Sequence, residues 1–425
     1  MILFPKYLTF SLIGPQIIND YMKNLILLLL LLLPYLSMAQ ASHFLPYTIV
    51  DTGQNRCFDN RNAISPPQKG EAFYGQDAQH SALPPNYQKI EQDIVLDSNT
   101  GLYWQKAYKI MTVKEAQKWA KNCEDGGYTD WRVPTIKEVY SLLNFSGVDI
   151  SGPDMKQLPN QAKPFIDTRY FDFEYSANGP RIIDSQLLSS TFYEGKVMGK
   201  DRAVFGLNFA DGRIKAYPVN DPRSQSGKQF MVRLVRGNPE YGKNEFKDHQ
   251  NSTISDLATG LMWSKMDSQK GMNWEKALAW VQERNQEKYL GYSDWRLPNA
   301  KELQSIVDYA NSPQKNGKAA INEQFDISSI RLSNGQKDYP AFWTSTTHIN
   351  QKGGRQAIYI SFGQAMGYFK PPHQRNGKGV LMDVHGAGAQ RSDPKTGDLA
   401  NFPHGKGPQG DVISINNYIR LVRDL

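Results

Sequence analysis

The chain says much the same thing twice. Thr100-Gly101-Leu102-Tyr103-Trp104 returns as Thr259-Gly260-Leu261-Met262-Trp263. Gly127-Tyr128-Thr129-Asp130-Trp131-Arg132-Val133-Pro134 returns as Gly291-Tyr292-Ser293-Asp294-Trp295-Arg296-Leu297-Pro298. Lys137-Glu138 answers Lys301-Glu302, and Ser190-Thr191 answers Ser345-Thr346. The closing Val232-Arg233-Leu234-Val235-Arg236 answers Ile419-Arg420-Leu421-Val422-Arg423. Landmark order is kept while spacing drifts, so the chain carries two homologous domains that differ by loop insertions, not a solenoid of fixed period. The first repeat spans 93–237 and the second 252–425, joined by a linker at 238–251. Ahead of them, 40–92 reads as an extension punctuated by Pro66-Pro67 and Pro84-Pro85.

Each repeat can be read for local structure. Thr112-Val113-Lys114-Glu115 is a capping box, in which hydroxyl and carboxylate satisfy orphan amides of a first helical turn. Ala116, Trp119, Ala120 and Cys123 then share one helical face. Asn273 opens the matching helix, with Ala277, Trp280 and Val281 on its buried side. Thr135 with Glu138, and Asn299 with Glu302, start a second helix in each copy. Val139, Leu142 and Leu143 form one buried stripe, and Leu303, Ile306 and Val307 the other. Later stretches such as 204–209 and 357–362 are strand-like. The closing Arg-Leu-Val-Arg alternates as a half-buried strand does. Two early helices and several late strands per repeat predict an α+β fold with an antiparallel sheet.

The start of the chain reads as an export signal. Met22-Lys23-Asn24 precedes nine consecutive Leu/Ile residues, and Ser37-Met38-Ala39 before Gln40 is a small-x-small cleavage site. The uncharged run is short of the roughly 20 residues a spanning helix needs, so 1–39 is expected to be removed. Residues 1–21 look like an upstream extension and Met22 like the translation start. Export implies a secreted, periplasmic or cell-surface protein with no membrane span after signal removal. In that oxidising setting the only two cysteines, Cys57 and Cys123, are expected to form one disulfide. Two cysteines exclude a multi-disulfide scaffold and any four-cysteine metal site. A net charge of +7 with no long Lys/Arg run excludes a dedicated nucleic-acid binder.

With those motifs in view, the chain resembles the C-terminal domain family of the Legionella collagen-like protein, in two tandem copies. Thr-Gly-Leu-x-Trp, Gly-Tyr-[Thr/Ser]-Asp-Trp-Arg-x-Pro-x-x-Lys-Glu and Arg-Leu-Val-Arg carry the resemblance through most of the chain. The resemblance implies C-type-lectin-like domains whose first and last strands pair, and an adhesive role on polysaccharide or glycosaminoglycan-like ligands. The founding protein's collagen-like repeat is absent here, so trimerisation by that route is not implied.

Candidate residues divide by chemistry. Asp130-Trp131-Arg132, Asp294-Trp295-Arg296, Trp104 and Trp263 read as structural corners and core. Lys196, Lys200, Arg202, Lys215, Tyr217, Lys352, Arg355, Tyr368 and Lys370 are expected on loops, where cations suit sulfate or carboxylate and aromatic faces suit sugar rings. Asp383, His385 and Asp393 flank a Gly-rich stretch, an oxygen-rich setting for a calcium ion. No zinc motif, nucleophile elbow or phosphate loop is present, which disfavours catalysis. The expected function is non-enzymatic, exported binding or adhesion. Two alternatives stay open: an envelope enzyme acting on glycans or resembling formylglycine-generating enzymes, and a structural envelope component.

Overall fold

A computed structural model describes residues 45–425 except 92, 153–156, 177–180, 222–225 and 371–378. The expected signal at 1–39 lies outside the described residues. Among those described, no helix is long and apolar enough to cross a membrane.

Capping decides where the helices start. Thr112 accepts from Glu115 N–H while the Glu115 carboxylate accepts from Thr112 N–H, opening α1 (Val113–Lys121). The same box at Thr135 and Glu138 opens α2 (Ile136–Ser141). In the second repeat Asn273 caps α3 (Trp274–Gln286), and Asn299 with Glu302 boxes α4 (Ala300–Ser305). A short α5 (Pro313–Asn316) follows. The second helix of each repeat is only 6 residues long. Its apolar stripe continues into the following turn, where Leu142, Leu143, Ile306 and Val307 are all buried.

Strands supply most of the regular structure. The extension holds β1 (Cys57–Phe58) and β2 (Ala63–Ile64). The first repeat contributes β3 (Tyr87–Glu91), β4 (Ile94–Asp97), β5 (Leu102–Gln105), β6 (Lys109–Met111), β7 (Gln186–Phe192), β8 (Ala203–Asn208), β9 (Arg213–Pro218), β10 (Phe230–Val232) and β11 (Val235–Gly237). The second begins with β12 (Phe246–Asp248), β13 (Thr253–Asp256), β14 (Leu261–Ser264), β15 (Ile330–Arg331) and β16 (Lys337–Asp338). It continues with β17 (Ala341–Asn350), β18 (Gly353–Ser361), β19 (Met366–Phe369), β20 (Val380–Asp383), β21 (Gln390–Pro394) and β22 (Val422–Asp424). The architecture is α+β, mostly sheet.

Each repeat has a four-stranded antiparallel meander in which the closing strand pairs with the strand carrying the core tryptophan. β11 sets Val235 against Trp104, and β22 sets Val422 against Trp263. Gly101 and Gly260, at φ 69° and 70°, make the tight turn ahead of that strand. Residues 246–248 of the expected linker are β12, already paired with β13.

The two repeats are fused. One eight-stranded sheet runs β17-β18-β21-β9-β8-β7-β10-β6, so strands of the second repeat continue directly into those of the first. The junction pairs Gln390 of β21 with Ile214 of β9. A hydrogen bond crosses it: Arg213, ion-paired with Asp149 of its own repeat at 2.7 Å, donates to Ser392 of the second repeat at 3.1 Å. Pairing is antiparallel except between β10 and β7. A single apolar cluster takes in Trp104, Tyr140 and Phe205 from one repeat and Trp263, Ile306 and Phe342 from the other.

Two expectations are corrected. The closing Arg-Leu-Val-Arg is not one alternating strand, because its first arginine turns inward onto carbonyls. Arg233 donates to the carbonyls of Gln105 and Asp172 at 3.0 and 2.7 Å. Arg420 donates to those of Ser264 and Asp326, both at 2.8 Å. Second, Cys57 and Cys123 are both buried free thiols. Cys57 lies in β1 with Lys395 and Asp77 near it, whereas Cys123 follows α1 beside Gln105 and Asp125. What pins the extension is hydrogen bonding to both repeats: Gln54 exchanges two bonds with Thr347 at 2.7 and 2.8 Å, and Phe145 N–H donates to Thr52.

Candidate functional site

The repeated Asp-Trp-Arg unit forms a corner in each copy. Trp131 and Trp295 are buried, and their indole N–H groups donate to the carbonyls of Asp125 and Tyr289 at 2.9 and 2.7 Å. Arg132 pairs with Glu138, and Arg296 with Glu302 at 2.6 Å, so the guanidinium braces the capping glutamate of the next helix. Asp130 accepts from Arg236 at 2.6 Å, and Asp294 from Arg423 at 2.8 Å, tying the corner to the closing strand. Trp104 and Trp263 are fully buried. The charged side chains of each corner are spent on one another.

Where the repeats meet lies a cleft of about 660 Å³, a volume suited to a bound ligand. Its walls are the α2 corner (Arg132, Thr135, Lys137), the segment Pro239–Asn244, and the turn after α4 (Ile306 to Ala310). Lys137 crosses its floor, donating to Asn244 Oδ1 at 2.8 Å and to the carbonyl of Ser305 at 2.7 Å. Burial lowers this ammonium to about 8. The homologous Lys301 makes the reciprocal bond to the carbonyl of Ser141 at 2.9 Å, and burial lowers it to about 8 as well.

On the outer side of the first repeat, cations stand over aromatic rings. Trp119, Phe192, Tyr217 and Phe230 belong to one small apolar cluster. Lys109 sits 4.2 Å from the Trp119 ring centre, Arg202 4.3 Å from Phe192, and Lys228 5.7 Å from Phe230. Lys109 and Arg202 are exposed.

The basic and aromatic residues singled out in the sequence are scattered relative to this ledge. Arg202 is on it. Tyr217 is buried beneath it, with Lys215 4.9 Å from its ring centre and donating to Gln409 at 3.0 Å. Burial brings the Lys215 ammonium down to about 7. These two were expected on a loop but lie on β9, between β21 and β8 in the eight-stranded sheet. Lys196 and Lys200 are exposed in the β7–β8 connection, and Lys352 and Arg355 at the β17–β18 hairpin. Tyr368, on β19, is half-buried with its ring against His404, and Lys370 is exposed.

Asp383, His385 and Asp393 do not make a cation site. Asp383 accepts from Tyr193 at 2.6 Å and Gln314 at 3.0 Å, and Asp393 from Ser414 N–H at 3.0 Å. His385 Nε2 is 2.8 Å from Asp411, which also takes the Arg391 guanidinium. Among the described residues no group of three His, Cys, Asp or Glu is placed to hold a metal. β20, β21 and the turn between them carry these side chains to different partners, a separation that closeness in sequence concealed. Burial holds both carboxyls up at about 6 and His385 down at about 4, so these are structural polar groups of the interior.

Sequence reasoning missed the cleft, the two crossing lysines, and Lys109, Trp119, Phe192, Lys228 and Phe230 of the ledge. The lysines did leave a signal, being repeated at matching landmarks. The ledge left none, because it joins α1, β6, β7 and β10 through sheet pairing.

Comparison with known families adds a decisive observation. The model of the Lcl C-terminal domain matches residues 93–236 and again 252–381, well over half the chain. The chain belongs to the Lcl C-terminal domain family. No curated protein and no solved structure matches it. The second Lcl C-terminal domain match stops ahead of β21 and β22, yet β22 closes its meander as β11 closes the first. The stretch carrying His385, Arg391 and Asp411 therefore lies beyond the matched part of the Lcl C-terminal domain.

Proposed function

We propose that the mature chain is an exported, non-enzymatic binding and adhesion protein that recognises anionic polysaccharide of the glycosaminoglycan type through the ledge of the first repeat. Lys109, Arg202 and Lys228, held over Trp119, Phe192 and Phe230, are the observation that carries this reading. Cations braced by rings lose less freedom on meeting sulfate or carboxylate, and such contacts are charge-assisted hydrogen bonds. Pairing of the first and last strands in each meander supports a lectin-like reading of both repeats. The Asp-Arg and Arg-Glu pairs of the corners are mutually engaged, which supports binding over acid–base catalysis.

The test is binding of the mature protein to heparin and to a neutral polysaccharide over a range of salt. Heparin binding should weaken steeply as salt screens the contact. The Lys109→Ala/Arg202→Ala/Lys228→Ala variant should lose most of it. Equal affinity for the neutral polymer, no binding at low salt, or turnover of the glycan would each overturn the proposal.

A further inference from the structure

The duplication creates two equivalent grooves, one beside each capped α2/α4 corner, and the chain fills only one of them. Beside α4, the N-terminal extension runs through the groove. Lys301 donates to the carbonyl of Asp51 at 2.9 Å, Phe145 N–H donates to the carbonyl of Thr52 at 2.7 Å, and the Thr346 hydroxyl donates to the Asp77 carboxylate at 2.6 Å. The groove thus takes main-chain carbonyls on an ammonium and an N–H, and a carboxylate on a threonine. The space left over is a remnant of about 320 Å³ lined in part by Pro84, Tyr87, Leu142 and Leu143.

Each of these positions has its counterpart in the large open cleft. Lys137 matches Lys301, Tyr309 matches Phe145, Thr191 matches Thr346, and Arg132 matches Arg296. Local bonding is conserved: Ile136 N–H donates to Thr191 at 3.0 Å as Ala300 N–H donates to Thr346 at 2.9 Å. The covering is not. Cap residue Asn299 is only 6% exposed beneath the extension, whereas its counterpart Thr135 is exposed. Among the described residues, no acceptor meets the Tyr309 N–H or the Thr191 hydroxyl hydrogen. Arg296 holds two carboxylates, Glu302 and Asp424, while Arg132 holds Glu138 alone. The open cleft therefore keeps two of the donors that the filled groove uses, the Tyr309 N–H and the Thr191 hydroxyl, plus a guanidinium short of one carboxylate, while Lys137 is already held by Asn244.

We propose that this cleft binds an acidic peptide of a partner protein, its main chain seated on Tyr309 as Thr52 is seated on Phe145 and a carboxylate on Thr191 as Asp77 is on Thr346. One main-chain carbonyl accepts from Tyr309 N–H, and an Asp or Glu carboxylate accepts from Thr191 beside Arg132. The bonds are of the kind that give main-chain affinity and side-chain selectivity in extended-peptide recognition. This site is separate from the ledge, so either proposal can fail alone.

The probe is a synthetic peptide with the sequence of Tyr47–Gln54, added to the full chain, with hydrogen exchange followed at the Tyr309 amide. The peptide should slow that exchange, and in a second peptide with the sequence of Phe73–His80 the Asp77→Asn form should bind about tenfold more weakly. Ala310→Trp, which fills the cleft from an exposed turn, should abolish protection with the melting temperature unchanged, and Thr191→Ser should keep it. Unchanged exchange at saturating peptide, equal protection in Ala310→Trp, or displacement of the peptide from Tyr309 by a heparin fragment would overturn the proposal.

Discussion

Lys137 of the first repeat donates to the main-chain carbonyl of Ser305 at the end of the second repeat's α4, at 2.7 Å. Its homologue Lys301 returns the bond to Ser141, the homologue of Ser305, at the end of α2. The contact is therefore self-complementary, the pattern expected when two like units face one another across a two-fold axis. Each ammonium also meets the carbonyl end of a helix, where positive charge is favoured.

Removing either lysine should leave buried carbonyls unpaired. Lys301→Met strands those of Asp51 and Ser141 and should cost about 1–3 kcal/mol. Lys137→Met should cost less, because Lys137 is half-buried at the edge of the open cleft whereas Lys301 is buried. Denaturant unfolding of the two variants measures the difference, and equal losses would contradict the asymmetry.

The contacts of the two arginines of the closing motif should differ in what their loss costs. Arg233→Met removes a buried guanidinium from two carbonyls and should destabilise by several kcal/mol or prevent folding. Asp130→Asn loosens only the pair between Arg236 and an Asp130 side chain that is 56% exposed, and should cost under about 1 kcal/mol. Thermal melts of both variants suffice.

Asp77 supplies a pH dependence. Burial, the largest cause, raises its carboxyl to about 7. The folded state then holds a proton that the unfolded chain, with a pKa of about 3.9, has released. Its contribution is complete below about pH 4 and is lost as pH rises toward 7. Asp77→Asn abolishes this titration, so the variant's melting temperature should fall less than the wild type's between pH 4 and 7. Parallel curves would refute the assignment.

The thiols offer a simple check. Cys57 and Cys123 are buried, and burial pushes both above the ordinary thiol range. Native protein should react slowly with a thiol reagent and release two equivalents once unfolded, with no mass change on reduction. A mass gain of two protons on reduction would show a disulfide instead.

The duplication was legible because whole motifs recur in the same order, and the capped helix starts, the α+β class and the strand-forming late halves because each rests on spacing within a dozen positions. The closing motif shows the limit of that reading. Its alternation promised a plain strand, yet Arg233 and Arg420 turned inward because carbonyls far away in sequence converge on them. The placement of Asp383, His385 and Asp393 failed for the related reason that neighbours on a chain diverge once sheet pairing assigns them partners.

Repetition alone thus settled that there are two homologous units, and which residues correspond between them. Folding decided that the units share one sheet and one core, and that two equivalent grooves end up unlike. Whereas Tyr87–Glu91 answers β12 of the second repeat, residues 40–85 occur once, so no internal pattern marks where they go. Their path is set by bonds across the whole length of the chain, Gln54 to Thr347 and Thr346 to Asp77 among them. Of the two equivalent grooves, one stays open and the other is filled by a segment that is not duplicated.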